Sequence, residues 1–380
     1  MLAGEYGRAR QKAIRHQLPV GEFFDAEDLV PVAQAPIMAD TKPTAESGLS
    51  FLEDLASLRS DQCRVRVPTI TDPRGVDFEA YKRLGQTEQM ADLEKRAVRA
   101  FETLPVLMTN TCINYQTISS PIRGEHLAFG DTGIVIYSNA ILGGGPSALA
   151  AALTGRTPRY GYHIPEEPFG TRHFDLADSP DGLSDWGALG GIVGQATNSY
   201  WEVPLITGVD NPPTSDELMH FGAALASFGS VAMFHIPGVT PEAATLAEAF
   251  DGSAANQTTR IGRHELSDFY RQLEACGDKV DVVVFAAPQL SLLEMKSVAG
   301  LLEGKRIHEA TSLIVATSPE IRFAADRMGN TATIEKSGGL VLAGVCFYQS
   351  YTRELAETNG WKRLVSNSAK LINIIGGYGY

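Results

Sequence analysis

The chain has 380 residues, 44% of them hydrophobic and 20% charged. That length exceeds one typical domain, and the composition excludes disordered and fibrous classes. With 32 basic against 45 acidic side chains the net charge is −13, which argues against a nucleic-acid groove or an anionic membrane surface as the main partner.

The first third reads as mixed. Residues 5–17 suit a short helix, and the acids of 24–29 suit a helix start. Residues 36–47 show little apolar periodicity and read as a long loop. Arg64-Val65-Arg66-Val67 alternates at period two and predicts a strand. Helices are expected around 78–83 and, with better patterning, over 87–104. A strand over 106–108 ends on Thr109-Asn110-Thr111-Cys112.

The middle holds an apolar strand at 134–137, then Gly143-Gly144-Gly145-Pro146-Ser147 and an Ala/Leu helix over 148–154. Glycines, a proline in the first turn and free N–H groups make such a helix start either a tight strand–helix joint or an anion site. It is neither a Walker A loop nor a GxGxxG fingerprint. Helices are expected over 186–196 and 216–227, and a strand over 231–235.

The last third is the clearest. Residues 280–285 form a continuous apolar run, as expected of a strand buried on both faces. A helix over 290–302, a strand over 312–316, a helix over 319–328 and strands over 340–343 and 363–365 follow. Strands alternating with helices imply βαβ units and a parallel sheet, with ligands beyond the carboxyl ends of its strands. Those ends are 286–289, 317–318, 344–346 and 366–368. Three α/β regions are expected, over 1–135, 136–275 and 276–380.

The cysteines are Cys63, Cys112, Cys276 and Cys346, far apart and with no C-x-x-C pair. This spacing implies a reducing, cytoplasmic compartment rather than a disulfide scaffold. No run reaches the ~18 apolar residues of a membrane span, and no secretory leader is evident. Cys112 and Cys346 stand at strand ends, where thiolates from separate loops can meet on a metal. Ser366-Asn367-Ser368-Ala369-Lys370 can grip a carboxylate or simply cap a helix. Glu125-His126 offers acid/base groups. No HExxH or GxSxG pattern is present, so zinc-protease and serine-hydrolase readings rank low.

Along nearly its whole length the sequence resembles the catalytic body of aconitase X. The resemblance is carried by Met1-Leu2-Ala3-Gly4-Glu5-Tyr6-Gly7, by the run from Gly144 through Pro158, by Gly124-Glu125-His126 and Tyr137-Ser138-Asn139, by the run from Phe234 through Ala243, and by Ser366 through Lys370. It implies an aconitase-like body of several α/β units with mostly parallel sheets, lacking the small swivel domain that such enzymes carry fused or as a separate subunit. It implies a hydro-lyase acting on a small hydroxy acid, cis-3-hydroxy-L-proline-like, with an iron–sulfur cluster as Lewis acid. A metal-free lyase or isomerase on the same fold and a non-catalytic subunit are the alternatives.

Residue by residue, the resemblance puts metal ligands at Cys112 and Cys346. It puts substrate contacts at Gly145, Ser147, Arg156, Gln289, Ser366, Asn367 and Ser368. Its catalytic set is His126, Asn114, Tyr115 and Lys370. The family's second cluster motif, Gly-Cys-Pro-His, reads Ala286-Ala287-Pro288-Gln289 here, so Ala287 replaces a cysteine and Gln289 a histidine. An Ala-Arg-Thr-Asn-type insert before the Gly-Gly-Pro-Ser helix start is also absent.

Overall fold

The computed structural model describes residues 1–38, 41–58, 63–108, 145–164, 169–240, 243–250, 258–274 and 279–378. The expected strand at 134–137 lies outside them.

In the first region two short strand pairs are wrapped by helices. The strands are β1 (Leu29–Pro31), β2 (Ala35–Ile37), β3 (Thr69–Thr71) and β4 (Arg156–Pro158). Strand β1 pairs antiparallel with β4, and β2 pairs parallel with β3. The helices are Arg8–Phe23, Thr41–Ala56, Glu88–Thr103 and Gly145–Thr154. Thr87 caps Glu88–Thr103, its hydroxyl accepting from Met90 N at 3.2 Å, which fixes the helix start where the sequence places it. Helix Gly145–Thr154 is buried along nearly its whole length, because its Ala/Leu run leaves no polar face. Four expectations fail here: residues 24–28 end the first helix and lead into β1 rather than start a helix, and over 106–108 only Leu107 bridges, to Ile70. The loop read over 36–47 holds β2 and the start of a helix, and the strand read over 64–67 begins at Thr69 instead. Arg64 and Arg66 are exposed, so their alternation marks a surface segment rather than a sheet face.

The second region is a parallel sheet made of β5 (Arg172–Leu176), β6 (Pro204–Thr207) and β7 (Thr258–Ile261), in the order β6-β5-β7. Helices Gly182–Thr197 and Ser215–Gly229 pack on it and on each other, around Phe174, Leu189, Phe221 and Phe234. Residues 231–235 form no strand; His235 makes only an isolated bridge to Leu205.

The third region is a four-stranded parallel sheet. Its strands are β8 (Val282–Leu290), β9 (Ser312–Thr317), β10 (Leu340–Ala343) and β11 (Leu364–Val365), in the order β10-β9-β8-β11. Val282, Val284, Ile314, Ala316 and Leu342 face one core, under helices Thr352–Asn359 and Ala369–Ile375. Leu313, Val315 and Val341 face the other, under helices Leu292–Leu302, Pro319–Arg327 and Asn330–Lys336. Burial on both faces is what the apolar runs require. Among the described residues no helix is long and apolar enough to cross a membrane.

Candidate active site

Six of the nine described site residues expected from sequence lie at the carboxyl ends of the third sheet. Strand β8 runs in register with β9 from Val282 to Phe285, and then Leu290 pairs with Thr317. Residues 286–289 therefore bulge out at the sheet's ligand end, a place where bulges commonly re-aim side chains. Ala287 lies in this bulge at φ 53, before a cis bond to Pro288. A left-handed backbone costs a residue with a Cβ ~1–2 kcal/mol. Its neighbours hold it there, for Ala287 is fully buried and its carbonyl accepts from Ser368 Oγ at 2.5 Å.

Gln289, also fully buried, reaches across to the two neighbouring segments. Its Nε2 donates to Thr317 O at 3.2 Å and Val345 O at 3.4 Å. Its Oε1 is buried with no hydrogen-bond partner among the described residues. Cys346, one residue beyond Val345, is buried, and its N–H donates to Arg74 O at 2.9 Å. From the β11 side, Ser368 caps helix Ala369–Ile375 by accepting from Leu371 N at 3.1 Å. Its own N–H donates to Ser366 Oγ, also at 3.1 Å. Lys370 is buried, with its ammonium 5.4 Å from the Tyr348 ring centroid. Ser366 and Asn367 are half-buried beside it. Gln289, Cys346, Ser366, Asn367, Ser368 and Lys370 are thus drawn together by topology, from three strand ends far apart in sequence.

The residues expected on the first region are arranged differently. Gly145 is buried at the start of its helix, where an added Cβ would stand 2.2 Å from Met38 O. Only glycine admits that approach. Ser147 Oγ lies 3.4 Å from His16 Nε2. Arg156 is exposed past the far end of the same helix and donates to Leu29 O at 3.1 Å. The helix has ten residues, so at ~1.5 Å per residue the structure separates Arg156 from Ser147 by about a helix length. Cys112, Asn114, Tyr115 and His126 lie outside the described residues.

Several groups around this end escaped the sequence reading. Arg74 forms a parallel bridge with Val345; its N–H donates to Gly344 O at 2.8 Å and its Nη2 to Ala343 O at 2.9 Å. The guanidinium lies 4.4 Å from the Phe78 ring centroid. Burial pulls its pKa below the usual range against the opposing charges of Glu94 and Asp77. Asp72 accepts from Gln349 Nε2 at 2.9 Å, and Asp77 from Ala343 N at 2.8 Å. Just past β8, Ser291 caps helix Leu292–Leu302 and donates to Asp216 at 2.6 Å, while Glu294 meets the buried His220 at 2.9 Å. The local signals were present: Ser291-x-x-Glu294 is a capping box, and Asp216 and His220 share a helix face at i, i+4.

Family models describe this chain in three consecutive parts: "Aconitase X first domain" over residues 1–166, "Aconitase X second domain" over 170–271 and "Aconitase X third domain" over 280–380. The chain belongs to the aconitase X family. Among aconitase X relatives, the phosphomevalonate dehydratase large subunit of Methanothermobacter thermautotrophicus is 34% identical over 99% of this chain and 92% of its own length. The cis-3-hydroxy-L-proline dehydratase of Pseudomonas aeruginosa is 32% identical over 97% of this chain, which spans 64% of that enzyme. The crystal structure of Thermococcus kodakaraensis aconitase X in its holo-form superposes with a TM-score of 0.80 at 25% identity, covering 100% of this chain and 94% of the other. The mixed α/β body with mostly parallel sheets is therefore the aconitase X fold. The named relatives are dehydratases, carbon–oxygen lyases, which makes this a chain of an enzyme family of the lyase class.

Aconitase X is associated with an iron–sulfur cluster, and the residues at the sheet end do not fit one held by three thiolates. Cys346 is buried at the end of β10's loop. At the position to which the resemblance assigns a second cysteine, Ala287 has only a methyl group, and its carbonyl is committed to Ser368. Among the described residues no three His, Cys, Asp or Glu side chains gather as a metal-binding group. Cys63 is buried in the core of the first region, its thiol donating to Leu58 O at 3.6 Å, while Cys276 lies outside the described residues.

Proposed function

We propose that the chain is a hydro-lyase that removes water from a small hydroxy acid of the cis-3-hydroxy-L-proline kind. The observation that carries this reading is the gathering of Gln289, Cys346, Ser366, Asn367 and Lys370 at the carboxyl ends of the third sheet, in a chain that aligns almost end to end with dehydratases. Lys370 is a buried cation suited to one carboxylate. Ser366 and Asn367 offer the donors and acceptors that orient it. The hydroxyl of Ser368 already holds Ala287 O and caps Leu371 N, so its part is to position this loop. His126 is assigned the acid/base or orienting part in the elimination, with Asn114 and Tyr115 completing the catalytic set.

A phosphorylated hydroxy acid is the second reading. It is favoured by the match in length and identity to the phosphomevalonate dehydratase large subunit. Both readings call for a small partner chain over the site, as the relatives' name "large subunit" implies for those proteins.

Proton NMR of a hydroxy-acid panel tests both. Purified chain, alone and with a candidate small subunit, is incubated with cis-3-hydroxy-L-proline and mevalonate 5-phosphate. Loss of the substrate methine signal for the first compound, abolished by Lys370→Met, is the expected result. Turnover of the phosphate ester alone moves the assignment to the second reading, and no turnover under any condition overturns both.

A further inference from the structure

We propose that this chain does not assemble the three-thiolate cluster of its family, because Ala287 and Gln289 have turned the second ligand position into a neutral joint between three strand ends. The inference goes beyond the dehydration reading, since an iron-free chain can be active or inactive.

Three observations carry it. First, the side chain at 287 is a methyl group sealed in the protein interior, and no other cysteine among the described residues reaches this end of the sheet apart from Cys346. By the family pattern Cys346 and Cys112 supply two thiolates, whereas clusters are anchored through three or four such ligands. Second, Gln289 gives its amide hydrogens to the carbonyls of Thr317 and Val345. The amide ties β9 and the residue before Cys346 to the bulge of β8. It is neutral at every accessible pH, unlike the histidine that the family motif places there. Third, Ser368 closes the joint from the β11 side through the Ala287 carbonyl. The Ala287 carbonyl and the Gln289 amide nitrogen are thereby committed to contacts that hold strand ends together. The position has been converted from holding a cofactor to holding the sheet.

The test is anaerobic reconstitution with ferrous iron and sulfide, followed by desalting. It compares the natural chain, Ala287→Cys and the double variant Ala287→Cys/Gln289→His. Iron and acid-labile sulfide per chain are measured together with the visible charge-transfer absorption. The natural chain is expected to stay at background. At least one variant is expected to gain iron and sulfide by about tenfold over that background, as a restored third thiolate should allow. Iron without labile sulfide on the natural chain also supports the proposal, because two thiolates can hold a lone ion. Stoichiometric iron and sulfide on the natural chain overturns it. So does background binding by both variants when circular dichroism shows them folded, since residues 287 and 289 are then not what excludes the cluster. Ala287→Cys keeps both Gln289 hydrogen bonds and covers the case in which the double variant fails to fold. The NMR panel run on the same samples separates the two proposals: iron-free and active supports both, and iron-free and inactive removes only the dehydration reading.

Discussion

Asp216 is a half-buried carboxylate one turn from His220, facing Ser291 and Glu294 across the packing of helix Ser215–Gly229 against helix Leu292–Leu302. Burial raises its pKa, reinforced by Glu294 and Glu217 and opposed by the Ser291 hydroxyl and by His220. The sign follows from linkage. A carboxyl whose folded pKa lies above its unfolded value favours the folded state fully below the unfolded pKa, and that advantage is lost as pH rises through the folded pKa. An asparagine side chain at this position would not ionise and would still accept from Ser291. Asp216→Asn is therefore expected to melt higher than the natural chain at pH 7, with the difference closing as pH falls into the carboxylate range. Melting curves across that range check it, and a difference that widens in acid would reverse the assignment. Such a group was hard to foresee. Asp216 and Ser291 are 75 positions apart, and nothing local in either segment announces the other. Cys346, by contrast, was foreseeable because it follows the apolar strand β10, and Lys370 because its Ser-Asn-Ser-Ala-Lys cluster follows β11.

The same contrast holds between elements. The third sheet was readable because β8, β9 and β10 are apolar on both faces, which few other environments permit. The second sheet was not. Arg172–Leu176 and Thr258–Ile261 are short and carry Arg, His, Asp and Thr, because one side of the first and most of the second are open to solvent. Their strand character comes from parallel pairing with distant partners, which propensity does not encode. The helices over 182–197 and 215–229 were readable as helices, but the reason for their glycines emerges only from their contact. A Cβ at Gly190 would stand 2.2 Å from Phe221 O on the opposing helix. Gly190→Ala must push the pair apart, and overpacking of this kind costs about 1–3 kcal/mol. Urea unfolding should show a lowered midpoint with little change in slope. An unchanged midpoint would mean that the two helices can separate freely.

Across the molecule, the described residues of the first region reach the candidate site through a backbone seam at Arg74. The amide of Arg74 donates to Gly344 O, its carbonyl accepts from Cys346 N, and its Nη2 holds Ala343 O. Asp77 and Asp72 reinforce the seam through Ala343 N and Gln349. Cys346 is therefore positioned by a segment some 270 residues earlier in the chain, so its geometry depends on the packing of the first region against the third. The seam was invisible in the sequence because Asp72-Pro73-Arg74-Gly75 reads as an ordinary turn. Arg74→Met keeps the apolar stem near Phe78 but removes the bond to Ala343 O. A buried carbonyl losing a charged donor costs about 1–3 kcal/mol, roughly a fivefold or greater rise in local opening. Amide exchange should accelerate at Gly344 and Cys346, whose N–H groups bond to Thr317 O and Arg74 O, while the core of β8 keeps its protection. Acceleration spread evenly over the third sheet would instead mean that Arg74 supports global stability and that Cys346 is held from within its own region.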